Sequence, residues 1–258
     1  MTVPTPKAIV IGASSGIGRA LAKVLAASGY EVGLTARRVE LLESLAREIP
    51  SKTYVRAIDL RNLPVTVQAV EELIREMGGL DLMVVNSGVN HCGDHLEWDG
   101  EYETAQINAV GFMAMADLAV PYFLHQNSGH LVGISSVAAL RGSGASPAYA
   151  ASKAYMSNYL AGLRQRLSRT PIRVTDIRPG YVDTAILENK SRVFWMASCE
   201  KAAAQIYEAI RKRKKVAYIT KRWVLAAAVF RWAPDWLYDW AYWKITERDR
   251  RSGPAERE

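Results

Sequence analysis

Tyr149 and Lys153 stand four residues apart in the stretch "SPAYAASKA", a spacing that puts both side chains on one face of a helix, a turn apart. A phenol with an ordinary pKa of about 10 is a poor acid or base at neutral pH. An ammonium held beside it favours the phenolate and draws that pKa towards the useful range. Ser136 closes the apolar run "HLVGISS" and offers a hydroxyl to a carbonyl oxygen on which charge grows as hydride adds. Together the three types describe acid–base chemistry at a C=O or CH–OH group.

Hydride chemistry needs a cofactor, and "IGASSGIGRA" is a place to hold one. Gly12, Gly16 and Gly18 lie between an apolar strand pattern and a helical one: the first suits a tight turn, the second a close backbone approach to phosphate, the third close helix packing. The helix start then turns free N–H groups towards a pyrophosphate. An ordinary glycine-bearing turn would look the same if the triplet stood alone. At the end of the second strand, where many dinucleotide folds carry a carboxylate for the ribose 2′-hydroxyl, the chain reads "LTARRVE". Arg37 and Arg38 match a 2′-phosphate through charge-assisted bonding, so NADP(H) is expected over NAD(H). The plainer alternative is that they open a solvated helix.

With these motifs in this order, the chain resembles the classical short-chain dehydrogenase/reductase (SDR) family over nearly all of residues 7–220. The glycine pattern G-x-x-x-G-x-G falls on Gly12, Gly16 and Gly18; the family's Ser, Tyr and Lys fall on Ser136, Tyr149 and Lys153; its catalytic Asn falls on Asn108 in "QINAVG". The resemblance implies an oxidoreductase interconverting a ketone or aldehyde and an alcohol, with NADP(H) as the cofactor on the reading of Arg37 and Arg38. Tyr149 would be the acid/base, Lys153 would lower its pKa and bind the nicotinamide ribose, Ser136 would polarise the carbonyl, and Asn108 would hold a relay water. It also implies a cofactor bed of Gly12, Ser14, Ser15, Gly16, Ile17 and Gly18 at the phosphates and Arg37 and Arg38 at the 2′ position. Asp59 and Leu60 would serve the adenine, and Asn86, Gly88, Pro179, Gly180, Val182 and Thr184 would complete the bed with Tyr149 and Lys153. Ile11 stands where the family usually has Thr, and "VVNSG" where "NNAG" is usual, so Val85 and Ser87 differ; altered cofactor affinity is expected before altered chemistry. A non-catalytic dinucleotide-binding regulator or scaffold of the same fold is the rival reading, and retention of Asn, Ser, Tyr and Lys together argues against it. An epimerase or dehydratase of the extended branch would want G-x-x-G-x-x-G, which is absent.

The elements that must position these groups are short β-branched runs alternating with helical patterns. Strands are expected at "KAIVIG", "EVGLTA", "TYVRAIDL", "LDLMVVNSG", "HLVGISS", "IRVTDIRPG" and "VAYIT". That alternation predicts an α/β, Rossmann-type, doubly wound and mainly parallel seven-stranded sheet with helices on both faces. Residues 1–220 read as one catalytic domain, and residues 221–258 as a Trp-rich extension, helical and then polar and disordered at its end.

Within that extension, "RWVLAAAVFRWAPDWLYDWAYWK" holds five of the chain's seven tryptophans. Its longest apolar run, Trp223 to Phe230, is eight residues, against the roughly 20 that cross a bilayer. Pro234 predicts a break into two helices, with Trp236, Trp240 and Trp243 on one face and Lys221, Arg222, Arg231, Lys244 and Arg248 around it. The pattern fits a lid or subunit contact, and it also fits a helix at an anionic membrane surface. With Phe194, Trp195 and Met196, which suit either a lid or a buried anchor, it points to a hydrophobic substrate: long-chain, acyl, polyprenyl-linked or steroid-like.

The formal charge of +7 favours anionic partners without naming one. Two cysteines, Cys92 and Cys199, make no disulfide framework, and "MTVPTPKAIVIGASSG" lacks a signal-peptide pattern, so a cytoplasmic location is expected, with peripheral contact at the inner membrane surface left open by the tail. His91, Cys92 and His95 are types that suit zinc, but no fourth ligand stands nearby, so a pocket-lining role and no metal are expected. The run "RKRKK", Arg211 to Lys215, reads as a solvated helix end, Ser198 as a helix cap, and no nucleic-acid-reading motif accompanies the charge. The resemblance implies a homodimer or homotetramer.

Overall fold

The computed structural model describes residues 4–93, 95–186 and 195–251. Seven strands, β1 (Lys7–Ile11), β2 (Glu31–Ala36), β3 (Thr53–Ala57), β4 (Leu82–Val85), β5 (His130–Ile134), β6 (Arg173–Pro179) and β7 (Val216–Ile219), pair in the order β3-β2-β1-β4-β5-β6-β7. Every pairing is parallel. Strands such as "AIVI" and "LMVV" are apolar at successive positions because both faces of the sheet are covered.

The helices α1 (Gly16–Ala27), α2 (Val39–Glu48) and α7 (Cys199–Arg211) cover one face, where Leu21, Leu25, Leu42, Leu45 and Ile206 meet Val10, Leu34 and Val132. The other face is covered by α3 (Leu63–Met77), α5 (Phe112–His125) and α6 (Pro147–Arg166), with Leu73, Phe112, Phe123, Met156 and Leu160 against Ile9, Ile11 and Met83. The doubly wound parallel sheet expected from the sequence is therefore the fold. Its strand order reverses between β1 and β4, and the crevice outside the carboxyl ends of those strands is where such folds bind ligands.

Several boundaries differ from the sequence expectation. β3 stops at Ala57 rather than reaching Leu60, because the Asp59 carbonyl leaves the ladder and accepts from Asn62 N and Thr66 Oγ1. β4 pairs only from Leu82 to Val85; the next two amides, Asn86 and Ser87, both turn to the Ile11 carbonyl. The helix α4 (Trp98–Ala105) runs into a π-helical turn, Gln106–Gly111, before α5. The combined stretch, Trp98–His125, is long and apolar enough to span a membrane, yet half of its most apolar window is buried within the protein.

Beyond β7 the chain forms α8 (Trp223–Trp232) and α9 (Asp235–Arg251), parted at Pro234 as the sequence predicted. The Ser198 hydroxyl accepts from Lys201 N and caps α7, and residues 211–215 are exposed at that helix's end.

Candidate active site

The phosphate loop follows β1 directly. Gly12 has φ +91, and a Cβ there would lie 2.6 Å from the Ser87 hydroxyl, so both conformation and space require glycine. Gly16 has φ +59 and faces the Thr184 methyl, where a Cβ would sit 3.1 Å away. Gly18 abuts the Gly12 carbonyl, to which Asn86 Nδ2 donates at 2.8 Å. The loop is thus braced from β4, and its glycine surface remains open to a ligand.

Gly12, Gly16 and Asn86 line one open cleft of about 1790 Å³ that also takes in Ser14, Ser15, Ile17, Arg37, Arg38, Asp59 and Leu60 at one end and Gly88, Ser136, Tyr149, Lys153, Pro179, Gly180, Val182 and Thr184 towards the other. Of the sequence-predicted site residues, only Gly18 and Asn108 stand behind its wall. Gly18, in the first turn of α1, lies against the Gly12 carbonyl and the Asn86 amide. Asn108 is fully buried in the π-helical turn; its Oδ1 accepts from Val89 N at 2.9 Å, and its amide donates to Val89 O at 2.9 Å and Ser152 Oγ at 3.1 Å. Both amide hydrogens are thus committed to protein groups, and Asn108 ties the loop after β4 to α6.

At the 2′ position Arg38 Nη2 donates to Ser14 Oγ at 3.1 Å and Ser15 Oγ at 3.2 Å, so its guanidinium lies over the phosphate loop. Arg37 is half exposed and lies 3.8 Å from Glu103. The Asp59 carboxylate is forked by Arg61 at 2.9 and 3.0 Å from Nε, which holds it well below the usual carboxylate range.

At the reaction end, β5 leads into Ser136, whose hydroxyl accepts from Ala138 N at 3.1 Å and draws the Tyr149 phenol down. Pro147 in the first turn starts α6, which carries Tyr149 and Lys153. Lys153 Nζ lies 5.6 Å from the Tyr149 ring centroid and donates to the Ile134 carbonyl at 3.0 Å. Gly88 makes room for this: a Cβ there would be 3.3 Å from both Lys153 Nζ and Asn108 Oδ1.

The electrostatics differ from the simple expectation that the ammonium lowers the phenol. Burial pushes the Tyr149 phenol up, and the Ser136 hydrogen bond draws it partly back. Burial also lowers Lys153 to about 8, opposed by the buried Asp176 carboxylate, which accepts from Ser135 Oγ at 2.5 Å and pairs with Arg178 Nε at 2.8 Å. Ser136 is therefore the protein group that favours the phenolate, and Lys153 is poised close to losing its own charge.

The mouth of the cleft contains residues that sequence reasoning missed. Arg141 forms an ion pair with Asp235, sits 4.8 Å from the Tyr238 ring and donates to Ala233 O; Tyr238 and Tyr242 of α9 line the cleft, as do Trp223 and Trp243. A Cβ on Gly180 would strike the Trp223 indole, and one on Gly144 would meet Tyr242 at 2.7 Å. The available signal was the i, i+4 tyrosine pair opposite the tryptophan stripe. Phe194 lies outside the described residues; Trp195 packs edge-on to Trp223 at 6.0 Å, and Met196 is partly exposed. His91 and Cys92 line the cleft, His91 bonded to Glu103 at 2.9 Å, and among the described residues no three metal-ligating side chains converge.

A family model described as short chain dehydrogenase matches residues 6–193. An uncharacterized oxidoreductase of Mycobacterium tuberculosis is 32% identical over 219 residues, covering 81% of this chain and 86% of the relative. One of Myxococcus xanthus is 36% identical over 184 residues, covering 69% and 73%. Among solved structures, a short-chain dehydrogenase from Sphingobium yanoikuyae in complex with NADPH superposes with a TM-score of 0.78 at 21% identity over 98% of each chain. A 3-ketoacyl-(acyl-carrier-protein) reductase from Brucella melitensis complexed with NADH gives 0.77 at 22% identity over 84% of this chain and 98% of the other.

Proposed function

Because the chain belongs to the short-chain dehydrogenase/reductase family and is an oxidoreductase of that kind, we propose that it reduces a hydrophobic ketone or aldehyde with NADPH, and runs the reverse oxidation. The observation that carries this reading is the convergence of Ser136, Tyr149 and Lys153 at one end of a cleft whose other end is the glycine loop.

The residues present fit the cofactor. Gly12, Gly16 and Ile17 would hold its pyrophosphate, and Arg38 with Ser14 its 2′-phosphate. Leu60 would hold the adenine, Val182 and Thr184 the nicotinamide end. When bound, it supplies hydride to the carbonyl carbon. Tyr149 gives its phenolic proton to the carbonyl oxygen, and the pKa raised by burial keeps that proton in place until the oxygen becomes basic. Ser136 donates a hydrogen bond to the same oxygen as its charge grows. Lys153 donates to the Ile134 carbonyl and, weakly, to Met156 Sδ at 3.6 Å, and its remaining N–H would serve the ribose hydroxyls. Asn108 acts as a positioning residue, holding the loop of Val89 against α6.

The hydrophobic substrate is supported by the mouth, where Ile186, Trp223, Tyr238, Tyr242 and Trp243 form aromatic and aliphatic walls. A homodimer or homotetramer is supported by the exposed Val110, Met113 and Tyr155. The test is NADPH oxidation over ketones of graded chain length, repeated with NADH and with Tyr149→Phe. Catalysis should favour NADPH and longer chains, and Tyr149→Phe should lose turnover by a factor on the order of 100 or more while keeping NADPH affinity. A fully active Phe variant would sink the mechanism; NADPH binding with no turnover of any carbonyl would favour a dinucleotide-binding regulator.

A further inference from the structure

α8 and α9 are two-sided. Their inner side is fixed to the body: Trp223 is 2% exposed beside Gly180, and Tyr238 and Tyr242 face the cleft. Their outer side carries Leu225, Val229, Trp232, Trp236 and Trp240 at 74, 62, 81, 70 and 56% exposure, a row of large apolar groups across both helices. A patch of this kind marks a contact surface.

We infer that this outer side docks the enzyme on an anionic lipid bilayer, and that the docked face brings the cleft mouth to the surface from which a membrane-dissolved carbonyl enters. Charge selects the occupant. Lys221, Arg222 and Lys244 are exposed around the patch, and among the described residues no carboxylate pairs with any of them. Lys201 joins Lys221 and Arg222 around a hollow of about 390 Å³ beside Trp195, a seat suited to an anionic headgroup. Indole rings, apolar in body with one N–H donor, sit at headgroup depth, and cations beside them meet lipid phosphate. α8 is only 10 residues long, and the 17 residues of α9 are interrupted by Asp239, Lys244 and Glu247, so neither helix is an apolar span and the contact is peripheral. Trp243, on the same helix and 58% exposed, also lines the cleft, so the docking face and the substrate entrance are continuous. The entry route rests on the proposed carbonyl reduction; the docking does not.

Flotation of the full-length protein with phosphatidylcholine–phosphatidylglycerol vesicles and with phosphatidylcholine alone tests it. The protein should float with the anionic vesicles on the order of tenfold more than with the neutral ones, and high salt should release it. Trp232→Ser/Trp236→Ser/Trp240→Ser should stay at the bottom yet oxidise NADPH with a short, water-soluble ketone as the parent does. Brominated lipid should quench the parent's tryptophan fluorescence, a reading that needs no variant. Absence of flotation, equal flotation of the variant, or no quenching overturns the inference. So does dissociation of an oligomer by the three substitutions, which would make the patch a contact between copies. Flotation without reduction of any carbonyl would count against the proposed activity and leave the docking intact.

Discussion

The Tyr238 hydroxyl donates to the Gly142 carbonyl at 2.9 Å, tying α9 to the loop that leads from Ser136 into α6. Asp235 reinforces the tie through Arg141, but its carboxylate is 91% exposed, so that ion pair adds little on its own. Removing both with Tyr238→Phe/Asp235→Asn should cost about 1 kcal/mol of docking energy, roughly a fivefold rise in the undocked tail. Trypsin should then cut at Lys221 and Arg222 correspondingly faster, and KM for a long-chain ketone should rise more than KM for a short one. An unchanged cleavage rate would mean that the tail is held elsewhere.

Arg38 and Arg37 should not contribute equally to cofactor choice. Arg38 is already aimed over the loop by Ser14 and Ser15, whereas Arg37 is half exposed and shares its surroundings with Glu103. A charge-assisted contact is worth roughly 1.5–3 kcal/mol, so Arg38→Leu should raise the Kd for NADPH on the order of 10- to 100-fold and leave NADH nearly unchanged. Arg37→Leu should do less. Titration of both variants by cofactor fluorescence checks the ranking, and a larger loss at Arg37 reverses it.

The two variants also mark where the sequence was legible. Gly12 and Gly16 could be read because positive φ and close approach leave few other residues possible, and Tyr149 with Lys153 because helical spacing puts them on one face. Arg37 and Arg38 were indistinguishable in sequence, since their roles depend on which way each side chain leaves the end of β2. Asn108 could be identified by motif, but the π-helical turn that points its amide at Val89 and Ser152 has no periodic signature. The tail's period displayed both its tryptophans and, on the opposite side, the pair Tyr238 and Tyr242; which of the two faces is inner is set by the tertiary partners Gly142 and Gly144. Asp176 reads as a polar interruption of β6 until Ser135 and Arg178 are seen to satisfy it.

Lys153 should give the proposed reaction an alkaline limit. Its pKa is lowered to about 8 by burial, so the ammonium that would bind the ribose loses its proton as pH rises through that value. The reductive kcat/KM, which reports the free enzyme, should therefore be level near neutrality and fall above about pH 8. NADPH affinity should weaken over the same interval. A profile that stays level to pH 10 would show that the charge on Lys153 is not required.

His130 should set the acid limit of the fold rather than of the chemistry. It opens β5, its Nε2 lies 2.8 Å from Thr175 Oγ1, and burial together with Arg213 and Arg173 lowers its pKa from 6.5 to about 4. A histidine depressed in the native state takes up its proton more readily when unfolded, so the stability it leaves intact above pH 6.5 is lost as pH falls towards 4. With allowance for its partial contact with water, the loss should be about 2 kcal/mol across that window. His130→Gln keeps a polar partner for Thr175 without the titration. Urea denaturation at several pH values should give a slope between pH 4 and 6.5 that is shallower in the Gln variant, and equal slopes would assign the acid sensitivity to other groups.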